Sequence, residues 1–140
     1  MEKKKYFLIN GNLYDILNSN KFGNVKIGSS ILDIISSLGE PDSKPEKISR
    51  KSKIYNYSYG NVNILVEGNL VVAINIDLHG ESNNFIKLEG MDNWNLEDWI
   101  KLAKSKSWNI ELISDTTNIY GDGISLALSR EGKIAMVSIR

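Results

Sequence analysis

Residues 54–78 contain three runs of alternating side chains, and short turn sequences separate the runs. The first turn is Gly60-Asn61, and the second is Glu67-Gly68-Asn69. Gly and Asn accept the positive φ values that tight hairpin turns require, and such turns join antiparallel strands. The stretch therefore predicts a three-stranded antiparallel meander with strands at 54–59, 62–66 and 70–78.

Alternation within these strands assigns their side chains to two faces. In the third strand, five aliphatic side chains share one face: Leu70, Val72, Ile74, Ile76 and Leu78. In the first strand, Tyr55, Tyr57 and Tyr59 share one face. A tyrosine stripe is typical of a core or of a protein-binding surface, and the acidic strands that follow disfavour nucleic-acid stacking.

Residues 25–42, VKIGSSILDIISSLGEPD, predict one short amphipathic helix that begins at Ser30. Ser30 can accept hydrogen bonds from first-turn amides, and Asp33 occupies the reciprocal capping-box position. Apolar residues at i, i+3, i+4 and i+7 form one stripe: Ile31, Ile34, Ile35 and Leu38. Gly39 and Pro41 then end the helix.

The last third of the chain repeats this order of elements. A second amphipathic helix is predicted over 95–105, capped by Asn93 or Asn95. Its apolar stripe has the same spacing: Leu96, Trp99, Ile100 and Ala103. Three further strands are predicted at 108–113, 123–129 and 133–139.

The repeated order predicts the fold class. Neither half can bury both its sheet face and its helix stripe alone, so we expect all strands to join in one sheet. The predicted fold is α+β, a single domain over residues 1–140 with a mostly antiparallel sheet. Two helix-plus-three-strand modules, at 23–79 and 93–140, build this sheet, and the helices pack on one face. A short helix at 12–17 is also predicted.

Composition excludes several kinds of site. The chain has no Cys, and His79 is its one histidine. Disulfides, Cys-based zinc sites and His-cluster metal sites are therefore excluded. The apolar run after the first lysines is four residues long, whereas a secretory signal needs roughly 7 to 15. We expect a cytoplasmic protein with no cofactor and no membrane partner.

Charge argues against a nucleic-acid partner. The chain carries 17 basic and 17 acidic side chains, whereas phosphate binding requires a basic surplus. The charges are segregated, because residues 54–100 hold one basic and seven acidic side chains. The middle third of the chain is therefore acidic, although the chain as a whole is neutral.

Asp77, His79 and Glu81 are the one place where an imidazole lies near carboxylates. On a strand these residues share a face, and a carboxylate beside the imidazole can raise its pKa towards use in acid–base catalysis. No nucleophile or oxyanion motif accompanies them, so a solvated loop is the favoured interpretation. We expect a protein without catalytic residues.

The runs GNVKIGSSILDIISSLGEPD and YNYSYGNVNILVEGNLVVAINIDL resemble, in their order, small immunity proteins of bacterial polymorphic and contact-dependent growth inhibition toxin systems. In that family a Gly-x-x-x-x-Gly run, a short helix, Leu-Gly-x-Pro and a strand ending in Tyr-Gly precede a hairpin. The matching positions lie between Gly23 and His79. The resemblance implies a bacterial protein that neutralises a cognate toxin domain by occluding it.

Two other resemblances are present. Residues 27–42 are similar to the helix and turn of the small lipoprotein subunit of the outer-membrane protein assembly machine. The doubled plan is similar to secreted inhibitors that plug an enzyme with a sheet. We expect no export signal and there is no Cys to carry a lipid, so the immunity family is preferred.

Partner contact is predicted in the acidic stretch that follows the meander. The predicted partner-binding residues are Asp77, Glu81, Glu89 and Asp92 as charge contacts and Trp94 as the apolar anchor. The competing interpretation is that these acids only maintain solubility. The alternative functions are a small sheet-based ligand-binding or assembly adaptor domain, or a hydrolase that uses His79 with Asp77 and Glu81.

Overall fold

A computed structural model describes residues 11–78, 86–88 and 90–140. The described residues form three helices: α1 (Leu13–Ser19), α2 (Ile31–Leu38) and α3 (Leu96–Ser105). They also form ten strands: β1 (Gly11–Asn12), β2 (Glu46–Lys47), β3 (Ile54–Tyr59), β4 (Val62–Glu67), β5 (Leu70–Asp77), β6 (Ile86–Lys87), β7 (Asn109–Ile113), β8 (Thr116–Gly121), β9 (Ile124–Leu128) and β10 (Ile134–Ile139). Within these ranges, no helix has the length and apolar character that crossing a bilayer requires.

Eight strands form one sheet in the order β2-β3-β4-β5-β10-β9-β8-β7, and every neighbouring pair is antiparallel. β1 and β6 form a separate, parallel pair of two residues each. The predicted α+β fold with a mostly antiparallel sheet is confirmed. The sheet contains two strands that were not predicted. β2 precedes the first predicted set of three strands, and β8 lies within the second set.

The two longer helices begin at capping boxes. At α2, the Asp33 amide donates to Ser30 Oγ at 3.1 Å, and the Ser30 amide donates to the Asp33 carboxylate at 3.0 Å. At α3, Asn95 and Asp98 make the same reciprocal pair at 3.1 and 2.9 Å. These bonds satisfy amides that have no partner within the helix, and they fix where each helix starts.

One face of the sheet and the buried sides of the three helices share a single hydrophobic core. The helices contribute seven of its side chains: Leu13, Ile16, Leu17, Ile34, Leu38, Trp99 and Ala103. The central strands contribute alternate side chains, among them Ile64, Ile76, Ile119, Leu126 and Val137. Burial of this apolar area is the main force that holds the helices against the sheet. We call this side of the sheet the covered face.

The alternation predicted for the start of β5 is wrong. Leu65 of β4 pairs with Ala73, but the next residue, Val66, pairs with Val71, so the register shifts at a bulge. The bulge turns Val71 into the core with 1 % exposure, whereas Leu70, which was predicted to share the face of the buried Ile74, is 49 % exposed. An extra residue in one strand exchanges the faces on which the neighbouring side chains lie.

Candidate protein-binding surface

The side of the sheet that points away from the helices carries mainly small, polar side chains. Cross-strand register assigns its members, which we call the open face: Asn56, Ser58, Asn63, Leu65, Ala73, Asn75, Asp77, Asn109, Glu111, Asn118, Tyr120, Ser125, Ala127, Met136 and Ser138. Asp77 and Glu111 are the charged residues in this set, and Glu46, opposite Asn56, and Glu67, opposite Ile54, add two further carboxylates on the same side of the sheet. These carboxylates lie on edge strands or at strand ends, so the middle of the open face is neutral.

A row of neutral polar residues crosses the middle of the open face. Successive members lie directly opposite one another on seven neighbouring strands, in the order Ser58, Asn63, Asn75, Ser138, Ser125, Tyr120 and Asn109. Strands lie about 4.8 Å apart, so this central row is roughly 29 Å long. Such a length matches the width of a standard protein interface rather than of a small-molecule site.

Hydrogen bonds satisfy one end of the central row but not its middle. Asn63 Oδ1 accepts from Ser58 Oγ at 2.9 Å and from Asn56 Nδ2 at 3.1 Å. By contrast, Asn75 Oδ1 is buried and accepts no hydrogen bond from any group that the structure describes. A buried oxygen without a donor is unfavourable, and Asn56 Oδ1 beside the row likewise accepts from no described group, so the polar side chains of β3 to β5 are incompletely satisfied.

A second row on the open face is acidic at both ends. Its members, directly opposite one another in turn, are Asp77, Met136, Ala127, Asn118 and Glu111. Met136 is 37 % exposed, and Tyr120 of the central row is 40 % exposed. Both line a shallow depression of about 290 Å³ together with Ser125. The open face thus combines an aromatic and a thioether side chain with a rim of carboxylates, as protein interfaces do.

The structure describes two of the four acids that the sequence predicted as partner contacts. Asp77 is exposed at the end of β5, on the open face. Asp92 is exposed in the turn that precedes α3, and α3 packs on the covered face. Glu81 and Glu89 lie outside the described residues. Partner contact by these four acids stays a prediction.

Trp94, the predicted anchor, is half-buried and packs against the core. Its ring meets the ring of Trp99 edge to face, with centroids 4.7 Å apart and planes at 68°. A ring that supports α3 in this way has less area available to a partner than a freely projecting one.

Of the three residues considered for acid–base catalysis, the structure describes Asp77. His79 and Glu81 lie outside the described residues. Across 11–78, 86–88 and 90–140, no three His, Asp or Glu side chains are grouped to hold a metal ion.

The tyrosine stripe divides between the core and a cleft. Tyr59 is fully buried, and its hydroxyl donates to the carbonyl of Gly39 at 2.7 Å. Burial, followed by the nearby Glu40 carboxylate, raises the pKa of both Tyr59 and Tyr57 above the usual tyrosine value. Tyr55 is 40 % exposed. Tyr55 and Tyr57 line a cleft of about 360 Å³ beside α2, a volume compatible with the ligand-binding alternative.

Sequence reasoning missed Tyr120 and Met136. The alternation in β9 and β10 shows that Ser125 and Ser138 point away from the aliphatic residues beside them. That pattern could have indicated a polar face, but it does not show which strands are neighbours.

Comparison of the chain with protein-family models, with curated proteins and with solved structures found no match.

Proposed function

We propose that this chain is an immunity protein that binds a cognate bacterial toxin domain through the open face and neutralises the toxin by occluding it. The observation that carries the proposal is the central row, a neutral polar stripe that no helix of the described chain covers. Charged residues are depleted from the centres of protein interfaces, and Tyr and Met are enriched there. The resemblance to immunity proteins supplies the class of partner.

Occlusion requires a broad, rigid surface and no catalytic group. The open face lies on regular strands, and such a surface pays little ordering entropy when it binds. Asp77 and Glu111 are exposed and carry negative charge at the two ends of the row beside the central row. The acids would attract a basic toxin domain and increase the association rate. The protein would act in the bacterial cytoplasm.

The two-module plan belongs to this proposal. Residues 23–79 would contribute α2 with β2–β5, and residues 93–140 would contribute α3 with β7–β10. The antiparallel pairing of β5 with β10 supports this division, because it joins the last strand of one half to the last strand of the other. Both halves then build the binding surface, with Asn75 and Ser138 opposite each other at the junction.

A charge placed in the central row tests the proposal. The probe is the C-terminal domain encoded by the reading frame directly upstream of this gene, and the measurement is its dissociation constant by calorimetry. Ser138→Arg puts a long cation at the middle of the row and should weaken binding by about 100-fold or more, because the charge would be buried without a partner. Ser36→Arg makes the same change at an exposed position of α2 and should leave affinity unchanged.

The same titrations distinguish the open face from the acidic segment predicted by sequence. Asp77→Lys should slow association in either case, because Asp77 belongs to both surfaces. Wild-type affinity in Ser138→Arg, together with lost affinity in Asp92→Lys and in a folded Trp94→Ala variant, would move the interface to the start of α3. A toxin domain that binds no form of the chain, and kills cells that express it, would refute the immunity function.

A further inference from the structure

The two edges of the eight-stranded sheet differ in how they are protected. β2 is two residues long, consists of Glu46 and Lys47 and follows Pro45. β7 has five residues, all exposed, and Glu111 is its one charged residue. Natural sheets protect their edges with short strands, lysine or proline. The β2 edge has these protections, whereas the β7 edge exposes Ile110, Leu112 and Ile113.

We propose that β7 pairs antiparallel with β7 of a second copy of this chain, so that two sheets continue into one across a two-fold axis. The inference is independent of the proposed function. It rests on the edge of β7 that no described strand covers and on the registers that the side chains of β7 permit.

The backbone groups of Ile110 and Leu112 point out of the sheet edge. Ile113 and Thr116 lie opposite each other across a two-residue turn, so they form a hydrogen-bonded pair. Hydrogen-bonded and non-bonded pairs alternate, which directs the N–H and C=O of Ile110 and Leu112 away from β8. The same alternation directs the N–H of Trp108 away from β8. This N–H donates to the Ala103 carbonyl at 2.8 Å.

Three two-fold registers would bring these outward groups together. A register centred on Ile110 would pair Leu112 with Trp108 of the second copy, whose N–H already donates to Ala103. A register centred on Glu111 would place two carboxylates directly opposite each other, which is repulsive. A register centred on Leu112 avoids both problems, because Leu112 meets its own copy and Glu111 meets Ile113. It sets Ile110 opposite Ser114 of the hairpin turn, where φ is 56°, so the paired segment is 111–113 and its backbone hydrogen bonds are those of Leu112.

The favoured register also buries the most exposed apolar side chains of the edge. Leu112 is 73 % exposed and Ile113 is 52 % exposed. The Glu111 carboxylate lies 3.4 Å from the Tyr120 hydroxyl of β8, so it is turned inward rather than guarding the edge. Cross-strand apolar contact and the free backbone groups therefore favour the same partner, a second β7.

Single cysteines test the register, because the natural chain has none. In the favoured register, Leu112→Cys places two cysteines about 5.5 Å apart between Cα atoms, within disulfide range. Ile110→Cys would separate its pair by roughly 13 Å along the strands. Mild oxidation should cross-link Leu112→Cys to a covalent dimer, and Ile110→Cys should cross-link no more than Leu32→Cys, a control that is also 73 % exposed but lies on α2.

Sedimentation equilibrium of the full chain tests the dimer without cross-linking. Wild type should sediment as a dimer, and Leu112→Lys should weaken dimerisation by about 100-fold, since symmetry sets two lysines opposite each other. Leu32→Lys should behave as wild type. A wild-type chain that stays monomeric at the highest soluble concentration, a dimer that Leu112→Lys leaves intact, or cross-linking at Ile110→Cys in preference to Leu112→Cys would overturn the proposal.

Discussion

Tyr59 connects the end of α2 to the sheet through its hydrogen bond to Gly39. Its raised pKa means that the unfolded chain loses the Tyr59 proton near pH 10, while the folded chain retains it. We therefore predict that the free energy of unfolding falls as the pH rises above about 10. Tyr59→Phe should cost about 1 to 2 kcal/mol at neutral pH and should flatten this alkaline decline. Urea unfolding between pH 8 and pH 11 measures both effects.

Tyr14→Phe is the control for that series, because Tyr14 is 57 % exposed. Equal alkaline slopes in Tyr59→Phe and wild type would contradict the role given to Tyr59. The sequence predicted that the three tyrosines of β3 act together, either all in the core or all on a protein-binding surface. They differ because α2 covers the sheet over Tyr59 but leaves Tyr55 at the cleft, and the position of a helix over a strand is a tertiary feature.

At the scale of elements, the capping box of α2 is a local device that should act locally. Ser30→Ala removes the side-chain acceptor for the Asp33 amide and should destabilise the protein by about 1 kcal/mol. Ser36→Ala, at an exposed position inside the same helix, should be neutral or slightly stabilising because Ala has the higher helix propensity. Thermal unfolding of both variants makes the comparison, and equal stabilities would exclude a capping role for Ser30.

The same locality explains which elements could be predicted. The helices predicted over 30–38 and 95–105 are observed at Ile31–Leu38 and Leu96–Ser105, because caps and apolar spacing are written within a few residues. β8 was missed because its polar Thr116–Asn118 start and its terminal Gly121 are typical of a loop. Pairing with β7 and β9 on both sides makes it a strand. The bulge at Val72 is likewise set by the partner strand, β4.

At the scale of the whole molecule, the candidate site depends on strands that are far apart in sequence. Asn75 and Ser138 are neighbours because β5 pairs with β10, and no local pattern indicates that pairing. Sequence reasoning could therefore single out Asp77, which lies on the open face, but could not assemble the central row. The proposed two-fold axis through β7 would set two open faces on the same side of one continuous sheet, so a dimer would present two such faces.

Cross-saturation NMR tests most directly whether the open face is the binding surface. The chain is deuterated except for its methyl groups, and the toxin domain from the neighbouring reading frame is the protonated partner. The methyl signals of Ala127 and Met136, on the open face, should lose intensity when the toxin is saturated. The methyls of Leu32, exposed on α2, should retain their intensity. Loss at Leu32 with unchanged Ala127 and Met136 signals would contradict the open face as the site of toxin binding.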